Sequence, residues 1–425
     1  MENRLIRVKG KNEMKKALLV TTVSGFVPQF EMNNVRSLQD FGFEVHYATN
    51  YNNVSYGTDN SRLDGTGIVR HQVDFVRSPY DIRGNIRAYR QLCRVMDEED
   101  FELLHCHTPM GSVLARMAAV RYNRRVAKVG GKPCKVIYTA HGFHFFKGAG
   151  LANRLFYYNV ERYLSKYTDV QITMNREDFA NAKRAWNKGC KVAYIPGVGI
   201  DTDYFSLAGI SKTNAEEINK NVRKSLGISE DTPLFLSAGE LIPRKNHESV
   251  LRALAEIVKE SKAGSEAKDG FGLRGFKYVI CGHGKLDGYL KNRVNELGLS
   301  EYVIFAGYCQ NIRDYYIAAD CYIFPSLQEG MPIALLEAAV TGITCICSNI
   351  RGNTDIEDVF SNVTCYKDAD ELREMLGTAL KGYKVQDYGK RLEFLAGQRE
   401  KVKEAFDREK VAETIREIYR EVIGN

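Results

Sequence analysis

The chain has 425 residues, which exceeds the ~250–300 at which one hydrophobic core stops growing, so two domains are expected. Apolar residues make up 44% and charged residues 27%, as is typical of a globular protein, and no stretch approaches the ~18 apolar residues of a membrane-spanning helix. The net charge of +7 is mild, and no recognised nucleic-acid-binding module accompanies the basic patches, so nucleic acid is not expected as a partner.

The N-terminal segment MENRLIRVKGKNEMKK is basic but is not followed by an apolar core, so it does not resemble a secretory signal. Residues 1–14 are expected to form a disordered or extraneous extension. The ten cysteines are scattered and include no Cys-x-x-Cys pair, which favours a reduced, cytoplasmic protein.

Short apolar runs alternate with helical patterns through the first half of the chain. Runs rich in Val, Ile, Leu and Tyr predict strands at 16–22, 43–49, 102–107, 135–140, 170–174 and 191–195. Helical spacing predicts helices at 31–41, 86–96, 110–121, 151–166 and 178–185.

The alternation restarts after a polar stretch at 207–224, with strands predicted at 234–238, 278–281, 302–305, 321–324 and 344–347. A polar, Gly-rich surface insertion is predicted at 261–275, and the tail at 392–423 is helical with a break at Asp407.

Repeated strand–helix alternation predicts an α/β protein with parallel, doubly wound sheets. We expect two Rossmann-like domains, at 15–205 and 206–391, with ligands at the carboxyl ends of the strands facing a cleft. The C-terminal helices at 392–425 are expected to cross back to the first domain.

Two carboxylates, Glu329 and Glu337, flank a predicted helix start in the sequence EGMPIALLE. Pro332 suits the first helical position because its φ is preset. Gly330 and Met331 before it have no side chain that could cap the helix. The free N–H groups of the first turn are therefore expected to face outward and to form a phosphate site. These groups belong to Ile333, Ala334 and Leu335.

Carboxylates beside such a site would repel a phosphate, so Glu329 and Glu337 are better suited to accept hydrogen bonds from the hydroxyls of a ribose or a hexose. Together these parts suggest a nucleotide-sugar site. When the pair is taken alone, an ordinary amphipathic helix with two solvated glutamates explains it about equally well.

Other segments in the chain make the motif specific. They are YTAHG at 138–142, IPGVGID at 195–201, AGELIPRKNH at 238–247, ICGHG at 280–284 and FAGY at 305–308. With the Glu-x(7)-Glu motif, they resemble the signatures of the retaining glycosyltransferases of group one, family four. The resemblance extends from Lys16 onward, implies the two-domain GT-B fold, and is closest to bacterial exopolysaccharide and capsule enzymes.

The resemblance assigns the donor site to the second domain. Lys245 would bind the donor diphosphate and follow the charge of the leaving group. Many relatives carry a diphosphate-binding Arg where this chain has Glu240, so Arg244 or the helix start would supply the remaining positive charge. Glu329 would bind hydroxyls of the transferred sugar, and Glu337 those of the ribose. The donor-binding set is Gly25, Gly239, Arg244, Lys245, Gly282, Gly284, Tyr308, Glu329, Gly330, Met331, Ile333, Ala334, Leu335 and Glu337.

By the same resemblance, His141 at the end of a first-domain strand would contact the donor sugar near the reacting carbon. It would orient the sugar and respond to transition-state charge, with no protein nucleophile and no metal or other cofactor required. His105-x-His107 could indicate metal binding, but alternate positions on a buried strand favour core packing. The expected catalytic residues are His141, Lys245 and Glu329.

A basic face and an aromatic segment are expected to contact the acceptor or a membrane. The basic face comprises Arg83, Arg87, Arg90 and Arg94, which recur at helical spacing. The aromatic segment comprises Phe143, His144, Phe145 and Phe146. Such surfaces suit an anionic leaflet or a polyprenyl-diphosphate acceptor, although a solvated arginine face beside core aromatics explains them about equally well. The resemblance favours the membrane.

The sequence therefore predicts a cytoplasmic, peripherally membrane-associated, metal-independent glycosyltransferase. It would move a hexose or N-acetylhexosamine from a UDP-sugar to a lipid-linked saccharide, with retention. Two alternatives stay open. One is a sugar-nucleotide epimerase on the same fold, and the other is a non-catalytic subunit that binds nucleotide or membrane, which the departure at Glu240 allows.

Overall fold

The structure is a computed structural model that describes residues 14–57, 59–146, 148–207, 209–264 and 275–424. Most of the predicted extension at 1–14 and of the predicted insertion at 261–275 lies outside the described residues. The chain forms two compact units. The first takes in the described residues up to Val198 and from Val411 onward, and the second runs from Gly199 to Lys410.

A parallel seven-stranded sheet forms the centre of the first unit. Its strands are β1 (Lys15–Val20), β2 (Phe43–Thr49), β3 (Val69–Gln72), β4 (Leu103–Cys106), β5 (Lys135–Ala140), β6 (Val170–Thr173) and β7 (Lys191–Tyr194). They lie in the order β3-β2-β1-β4-β5-β6-β7. The order reverses between β1 and β4, and open α/β sheets bind ligands at the carboxyl ends of the strands beside such a reversal.

Helices of the first unit pack on both faces of this sheet. They are α1 (Met32–Asp40), α2 (Ile82–Glu99), α3 (Pro109–Lys128), α4 (Leu151–Leu164) and α5 (Arg176–Ala185). In α2, Ala88, Leu92 and Met96 recur at steps of four and are buried in the core, which is the apolar stripe of a helix on a sheet. Asp81 caps α2 by accepting a hydrogen bond from the Gly84 N–H.

The second unit repeats this design with six parallel strands. They are β8 (Leu234–Ala238), β9 (Lys277–Cys281), β10 (Val303–Gly307), β11 (Cys321–Phe324), β12 (Thr344–Ser348) and β13 (Val363–Tyr366), in the order β10-β9-β8-β11-β12-β13. Its helices are α6 (Thr202–Phe205), α7 (Lys212–Ser225), α8 (His247–Gly264), α9 (Asp287–Glu296), α10 (Ile312–Ala318), α11 (Ile333–Val340), α12 (Asn353–Glu357), α13 (Ala369–Lys381) and α14 (Tyr388–Phe406). The order again reverses at the centre, between β8 and β11.

The predicted α/β class with two doubly wound parallel sheets is confirmed. The predicted bounds of β2, β5, β8 and β11 match at both ends. The edge strands β3 and β13 were not predicted, because short edge strands lack a continuous buried run; in β3 no residue is buried. The polar stretch at 207–224 contains α7, whose buried side includes Ala215 and Val222.

The division of the chain differs from the predicted bounds of 15–205, 206–391 and 392–425. Residues from Gly199 onward belong to the second unit, because Ile200 pairs with Asp407 and the Thr202 hydroxyl donates to the Asp407 carboxylate. The chain rejoins the first unit only from Val411, within the last helix, α15 (Arg408–Ile423), and the predicted break at Asp407 separates α14 from α15. Tyr419 of α15 is fully buried, and its hydroxyl lies 2.7 Å from His105 Nδ1.

Candidate active site

In the second unit, two cations converge on one carboxylate beside the carboxyl ends of β8 and β11. Arg244 and Lys245 belong to a 3₁₀ turn that follows β8, and Glu329 follows β11. Lys245 Nζ lies 2.8 Å from Glu329 Oε1, and Arg244 Nη1 lies 2.9 Å from the same oxygen. The structure therefore brings together three predicted site residues, although Lys245 and Glu329 are 84 positions apart in the sequence.

The environment of this ion cluster is partly dry. Burial by itself would raise the pKa of the Glu329 carboxyl, but Lys245 and Arg244 outweigh burial and lower that pKa below its usual value. Lys245 also lies over the Phe324 ring, 4.7 Å from its centroid. The three side chains carry a net charge of +1, and Arg244 is the most exposed of them at 40%. An anion can therefore reach this cluster from the side of Arg244.

The geometry bears on the second cation of the donor site, for which the sequence offers Arg244 or the helix start. Glu240, the residue that stands where many relatives have Arg, is exposed. Arg244 instead shares the Glu329 carboxylate with Lys245 and donates to the Gln328 carbonyl at 2.7 Å. It thus lies beside Lys245, where a diphosphate-binding cation would be needed.

The helix between the two glutamates begins one residue later than predicted. Pro332 has an extended backbone (φ −81°, ψ 105°) and precedes α11, which starts at Ile333. The preset φ of proline is compatible both with the position just before a helix and with the first helical position. The extended ψ of Pro332 shows that it occupies the position before the helix. As predicted, no side chain caps this helix end. The first N–H groups of α11 are therefore left for water or a ligand.

The backbone before α11 is held by the loop after β12, a supporting role that was not predicted for this segment. The Arg351 guanidinium donates to the Glu329 carbonyl at 3.1 Å. At Gly352 (φ +79°), a Cβ would lie 2.2 Å from the Gly330 carbonyl oxygen, so only glycine permits this approach. The arginine that positions Glu329 thus lies 22 residues further along the chain, outside the Glu-x(7)-Glu motif.

Three glycines of the predicted donor set are required by close packing against neighbouring backbone. A Cβ at Gly282 would lie 1.9 Å from the Gly239 carbonyl oxygen, and one at Gly284 would lie 2.4 Å from the Leu241 carbonyl oxygen. In the first unit, a Cβ at Gly25 would lie 1.9 Å from the Ser55 carbonyl oxygen. These contacts account for the glycines without a ligand, so their donor-binding role stays a prediction.

Tyr308 and Glu337 lie in contrasting surroundings. The Tyr308 side chain is 79% exposed, while its N–H donates to His283 Nε2 at 3.1 Å, so the ring offers a free face for stacking. Glu337 lies on α11 near the buried Tyr316, and burial raises its pKa to about 7, with the Tyr316 hydroxyl acting in the opposite direction. Its carboxyl group can therefore change charge near neutral pH.

In the first unit, the predicted catalytic residue His141 lies in a polar cluster that was only partly predicted. His141 Nε2 lies 3.2 Å from His107 Nδ1, and Glu31 Oε1 lies 3.4 Å from His107 Nδ1 and 3.6 Å from His141 Nε2. Core packing was expected for His105 and His107. Both side chains are fully buried, as expected. His105 Nε2 bonds the Thr139 hydroxyl, and His107 also lies against His141.

Neither Glu31 nor His107 was predicted as a site residue. The available signal was that His107 and His141 both directly follow strands, and parallel neighbours end at the same sheet edge. Glu31 has no such signal, because it ends a single π-helical turn at Val27–Glu31 that no linear pattern indicates.

Two groups among the described residues bring three possible metal-ligand atoms within 4.8 Å of one another. One is Glu31 with His107 and His141, and the other is His46 with His71 and Glu99. In the second group, His46 Nδ1 lies 2.8 Å from His71 Nε2, and Glu99 accepts a hydrogen bond from Lys16 at 2.6 Å. The three side chains of this second group therefore already bond to protein groups.

The predicted acceptor and membrane residues divide into exposed and buried ones. All four arginines of the basic face lie on α2 and line one surface depression. Phe143 and Phe145, in contrast, are buried and pack around Trp186, with ring centroids 5.6 and 6.0 Å from it. Their expected contact with the acceptor or membrane is therefore wrong, because aromatic content alone does not reveal which way side chains point. His144 and Phe146 are half-buried.

Exposed apolar side chains lie instead on the next helix, α4. Leu151, Leu155 and Phe156 are 77%, 62% and 57% exposed. Leu155 and Phe156, with Met117 of α3, border an apolar groove of about 780 Å³, whose edge carries Arg121 and Arg124. Among the described residues, no helix is both long and apolar enough to cross a membrane.

Comparisons with known proteins agree over both units. The family model "Glycosyltransferase Family 4" matches residues 32–204, and "Glycosyl transferases group 1" matches residues 218–391. The chain is 32% identical over 342 residues to the putative glycosyltransferase EpsD of Bacillus subtilis, which covers 80% of this chain and 81% of that protein. It is 30% identical over 271 residues to an Escherichia coli enzyme, UDP-Gal:alpha-D-GlcNAc-diphosphoundecaprenol alpha-1,3-galactosyltransferase, covering 63% of each.

Solved structures share the fold at low sequence identity. HepE of Anabaena, in complex with UDP, superposes with a TM-score of 0.67 at 15% identity, over 96% of this chain and 100% of that one. WaaG, a glycosyltransferase involved in lipopolysaccharide biosynthesis, superposes with a TM-score of 0.65 at 17% identity, over 95% and 99% of the two chains. The predicted GT-B fold is confirmed. The chain therefore belongs to the group 1 glycosyltransferases of family four.

Proposed function

We propose that this glycosyltransferase moves a hexose or N-acetylhexosamine from a UDP-sugar to a saccharide carried on a polyprenyl diphosphate, with retention and without a metal. The observation that carries the proposal is the convergence of Lys245 and Arg244 on Glu329, shortly before a helix whose N-terminus no side chain caps. Cations and free N–H groups bind a diphosphate, and the carboxylate binds sugar hydroxyls.

The choice of donor and acceptor rests on relatives. The Escherichia coli relative is named for a UDP-galactose donor and a diphosphoundecaprenol acceptor, and the Anabaena structure holds UDP. The structure of WaaG is described as that of an enzyme involved in lipopolysaccharide biosynthesis. These names support a nucleotide donor of the UDP class and a lipid-linked acceptor in cell-surface polysaccharide synthesis.

Metal independence is proposed from what the donor site contains. When the glycosidic bond breaks, charge develops on the diphosphate, and fixed cations beside it stabilise the transition state. Lys245 and Arg244 would supply that charge at the oxygen atoms where a divalent cation would otherwise act. Retention is proposed because the departing phosphate oxygen can accept the acceptor proton on the same face, while His141 orients the sugar.

A donor panel tests this proposal directly. The melting temperature is measured with UDP-, GDP-, ADP- and dTDP-sugars, each with Mg²⁺ and with EDTA, because a ligand that binds only the folded protein raises it. We expect a shift with a UDP-sugar that is the same in EDTA. A shift that requires Mg²⁺, or one confined to another nucleotide, would overturn the donor assignment. No shift with any nucleotide would favour the non-catalytic alternative.

The same panel separates the proposed transfer from an epimerase activity. A donor that gives a shift is incubated with the enzyme without acceptor, and the sugar is then identified. We expect the sugar to be recovered unchanged, apart from slow hydrolysis. An epimerised sugar would favour the second alternative.

Glu337 gives the donor site a testable pH dependence. If its carboxylate accepts hydrogen bonds from the ribose, donor binding requires the ionised form, which is reached only above the pKa of about 7. We expect the Kd for UDP to fall by about tenfold as the pH rises from about 6 to about 8. Over this range the ionised fraction of a carboxyl group with a pKa of about 7 increases by about the same factor. In Glu337→Gln the Kd is expected to be higher at the upper end of this range and nearly constant with pH.

Stability should respond to pH in the opposite sense at this site. The pKa of Glu337 is higher in the folded protein than its ordinary value of 4.5, so its proton stabilises the folded state and is lost as the pH rises through 7. The melting temperature of Glu337→Gln should therefore increase relative to that of the wild type as the pH rises from about 5 to about 8. An equal pH dependence of Kd in both proteins would contradict the assigned role.

We also propose that the first unit binds an anionic membrane surface through α2 and α4. The arginine face of α2 would contact the lipid headgroups, and Leu155 and Phe156 would insert between them. This arrangement would hold the enzyme at the inner face of the cytoplasmic membrane, where a lipid-linked acceptor is expected.

Neutralising the arginine face tests this association. Each basic residue near an anionic surface contributes about 1 kcal/mol, so replacing Arg83, Arg87, Arg90 and Arg94 by Gln should lower binding to anionic vesicles at least ~10-fold. The matched control replaces four lysines of the second unit by Gln and should bind nearly as the wild type does. The control positions are Lys220, Lys224, Lys259 and Lys285. Equal losses in the two variants would show that only net charge matters and would contradict the proposed surface.

A further inference from the structure

Two thiols face each other at the carboxyl ends of β9 and β10 in the second unit. Cys281 is the last residue of β9, and Cys309 lies two positions after the end of β10. Both are free cysteines, and their sulfur atoms lie 3.1 Å apart. Because a disulfide bond is about 2.05 Å long, the two sulfurs would have to approach by only about 1 Å to form one.

Each of these cysteines is directly adjacent to a residue of the predicted donor-binding set. Gly282 follows Cys281, and Tyr308 precedes Cys309. The Tyr308 N–H donates to His283 Nε2 at 3.1 Å, so the turn after β10 is already joined to the turn after β9. A bond between the two sulfurs would therefore join the same two turns and would act next to the exposed Tyr308 ring.

The pair combines a reachable thiol with a buried one. Cys281 belongs to the apolar core of the second unit, whereas Cys309 is half-buried. A hydrogen bond from Cys281 lowers the pKa of the Cys309 thiol to about 7, against the effect of burial, and Tyr315 and His283 act in the same direction as Cys281. The thiolate, which is the form that reacts with peroxides, is therefore well populated at neutral pH.

A second pair of close thiols among the described residues has a different setting. Cys347 and Cys365 lie opposite each other on β12 and β13, with their sulfurs 3.4 Å apart. Both are held within the hydrogen-bonded strands of the sheet, whereas Cys309 lies beyond the end of its strand, where the backbone can move more easily. Neither Cys347 nor Cys365 adjoins a residue of the predicted donor-binding set, so this pair serves as an internal comparison.

We propose that Cys281 and Cys309 form a modification site, in which a hydroperoxide oxidises the two thiols to a disulfide that weakens nucleotide binding. The inference rests on the proposed function, since it requires that Tyr308 contact the donor nucleotide. A dithiol reductant reverses the change by thiol–disulfide exchange, so the modification is compatible with a reducing compartment.

The oxidation takes two steps and needs only the peroxide as oxidant. The Cys309 thiolate attacks one oxygen of hydrogen peroxide, the O–O bond breaks, and Cys309 becomes a sulfenic acid while the departing hydroxide takes up a proton to form water. The Cys281 sulfur then attacks the Cys309 sulfur and the S–O bond breaks. The hydroxide that leaves takes the Cys281 thiol proton and forms a second water. Two thiols are thus oxidised to one disulfide, and one peroxide is reduced to two waters.

The disulfide is expected to act on the donor site through Tyr308. Cys281 is fixed in a buried strand, so Cys309 has to move toward it, and Tyr308 is the covalent neighbour of Cys309. Gly307, on the other side of Tyr308, has a φ of +70° and lies close to the His283 ring, which leaves the turn little room to absorb the movement. Loss of a base–aromatic stack weakens binding by about fivefold or more.

Formation of the disulfide is tested on the full chain without nucleotide. Reduced protein is exposed to hydrogen peroxide, the remaining thiols are alkylated, and a non-reducing digest is analysed by mass spectrometry. We expect a peptide in which Cys281 is joined to Cys309 and which disappears after treatment with dithiothreitol. Cys309→Ser should fold like the wild type, because this position is half-buried, and should lack the joined peptide.

The effect on the donor site is tested by titration with UDP. We expect the Kd of the oxidised wild type to be at least ~5-fold higher than that of the reduced protein, and to recover in dithiothreitol. The oxidised protein should melt no lower than the reduced one, because the cross-link constrains the unfolded chain, which excludes general damage as the cause. Cys309→Ser should bind UDP equally before and after peroxide. Cys365→Ser, which breaks the second pair, is the control and should respond to peroxide as the wild type does.

The coupling is also tested in the reverse direction. A disulfide that weakens UDP binding must itself be disfavoured by UDP to the same extent. In buffers that contain reduced and oxidised dithiothreitol, saturating UDP should therefore shift the equilibrium of the wild type toward the two thiols by the factor found in the Kd.

Two results would overturn the inference. One is the absence of the joined Cys281–Cys309 peptide from folded wild type whose other thiols have reacted with peroxide. The other is an equal Kd for UDP in the oxidised and the reduced protein. Failure of the proposed function is distinguishable, since a wild type that binds no nucleotide in its reduced form would still form the disulfide.

Discussion

Replacing Lys245 by alanine is expected to lower kcat/KM for sugar transfer by about 10³-fold, the upper range for removal of one preorganised charge-stabilising group. The Lys245 ammonium lies 2.8 Å from Glu329 and is 15% exposed, so its charge acts in a partly dry site. Binding of UDP should also weaken, because the lysine is proposed to contact the diphosphate in the ground state as well.

Stability should change much less than activity in this variant. Arg244, which lies 2.9 Å from Glu329, remains after Lys245 is removed, so the buried carboxylate keeps a cation. Melting curves should therefore show a decrease of a few degrees at most, corresponding to about 1 kcal/mol. Lys259→Ala, at an exposed position of α8, is the control and should match the wild type in both measurements. An unaltered rate in Lys245→Ala would remove this residue from the mechanism.

Glu329→Gln should separate sugar transfer from nucleotide binding. The carboxylate holds both cations through a single oxygen, so its negative charge competes with a diphosphate for them. Without that charge, UDP should bind as tightly as to the wild type or more tightly. Transfer should nevertheless fall by about 10²- to 10³-fold, because the carboxylate is proposed to fix hydroxyls of the sugar during the reaction.

Titration with UDP and a transfer assay on the same preparation check this pair of effects. Glu240→Gln is the matched control, since that glutamate is exposed and lies on the loop after β8. Weaker UDP binding in Glu329→Gln together with a normal transfer rate would contradict the roles proposed for Glu329, Lys245 and Arg244.

Linear motifs indicated residues that the structure brings together, such as Lys245 and Glu329, because these residues lie on short segments that follow strands. The Glu-x(7)-Glu segment and the loop that carries Lys245 can be read without knowing the fold, as can the parallel strands whose buried runs are continuous. The contact between Arg244 and Glu329 could not be read in this way, since it depends on how β8 and β11 lie beside each other. The support that Arg351 and Gly352 give to the backbone near Glu329 likewise depends on the fold, because they follow β12 and lie outside the Glu-x(7)-Glu segment.

In the first unit, several features could not be predicted from linear motifs. Glu31 is buried by a π-helical turn, a backbone conformation that leaves no periodic pattern in the sequence. Phe143 and Phe145 look like an aromatic surface when read in order, but their packing on Trp186 turns them into the core. The exposed apolar residues lie a few positions later, on α4, where helix geometry and the groove beside α3 decide which side chains face outward.

Transfer of a labelled sugar to a defined lipid acceptor tests the proposed reaction most directly. The enzyme would be incubated with the UDP-sugar selected by the donor panel and with N-acetylglucosamine carried on a polyprenyl diphosphate, in EDTA. Extraction of the lipid measures transfer, and NMR of the product gives the configuration of the new bond. We expect a labelled lipid in which the anomeric configuration of the donor is retained. An inverted bond, or label that stays in the aqueous phase with every UDP-sugar tested, would contradict the proposed reaction.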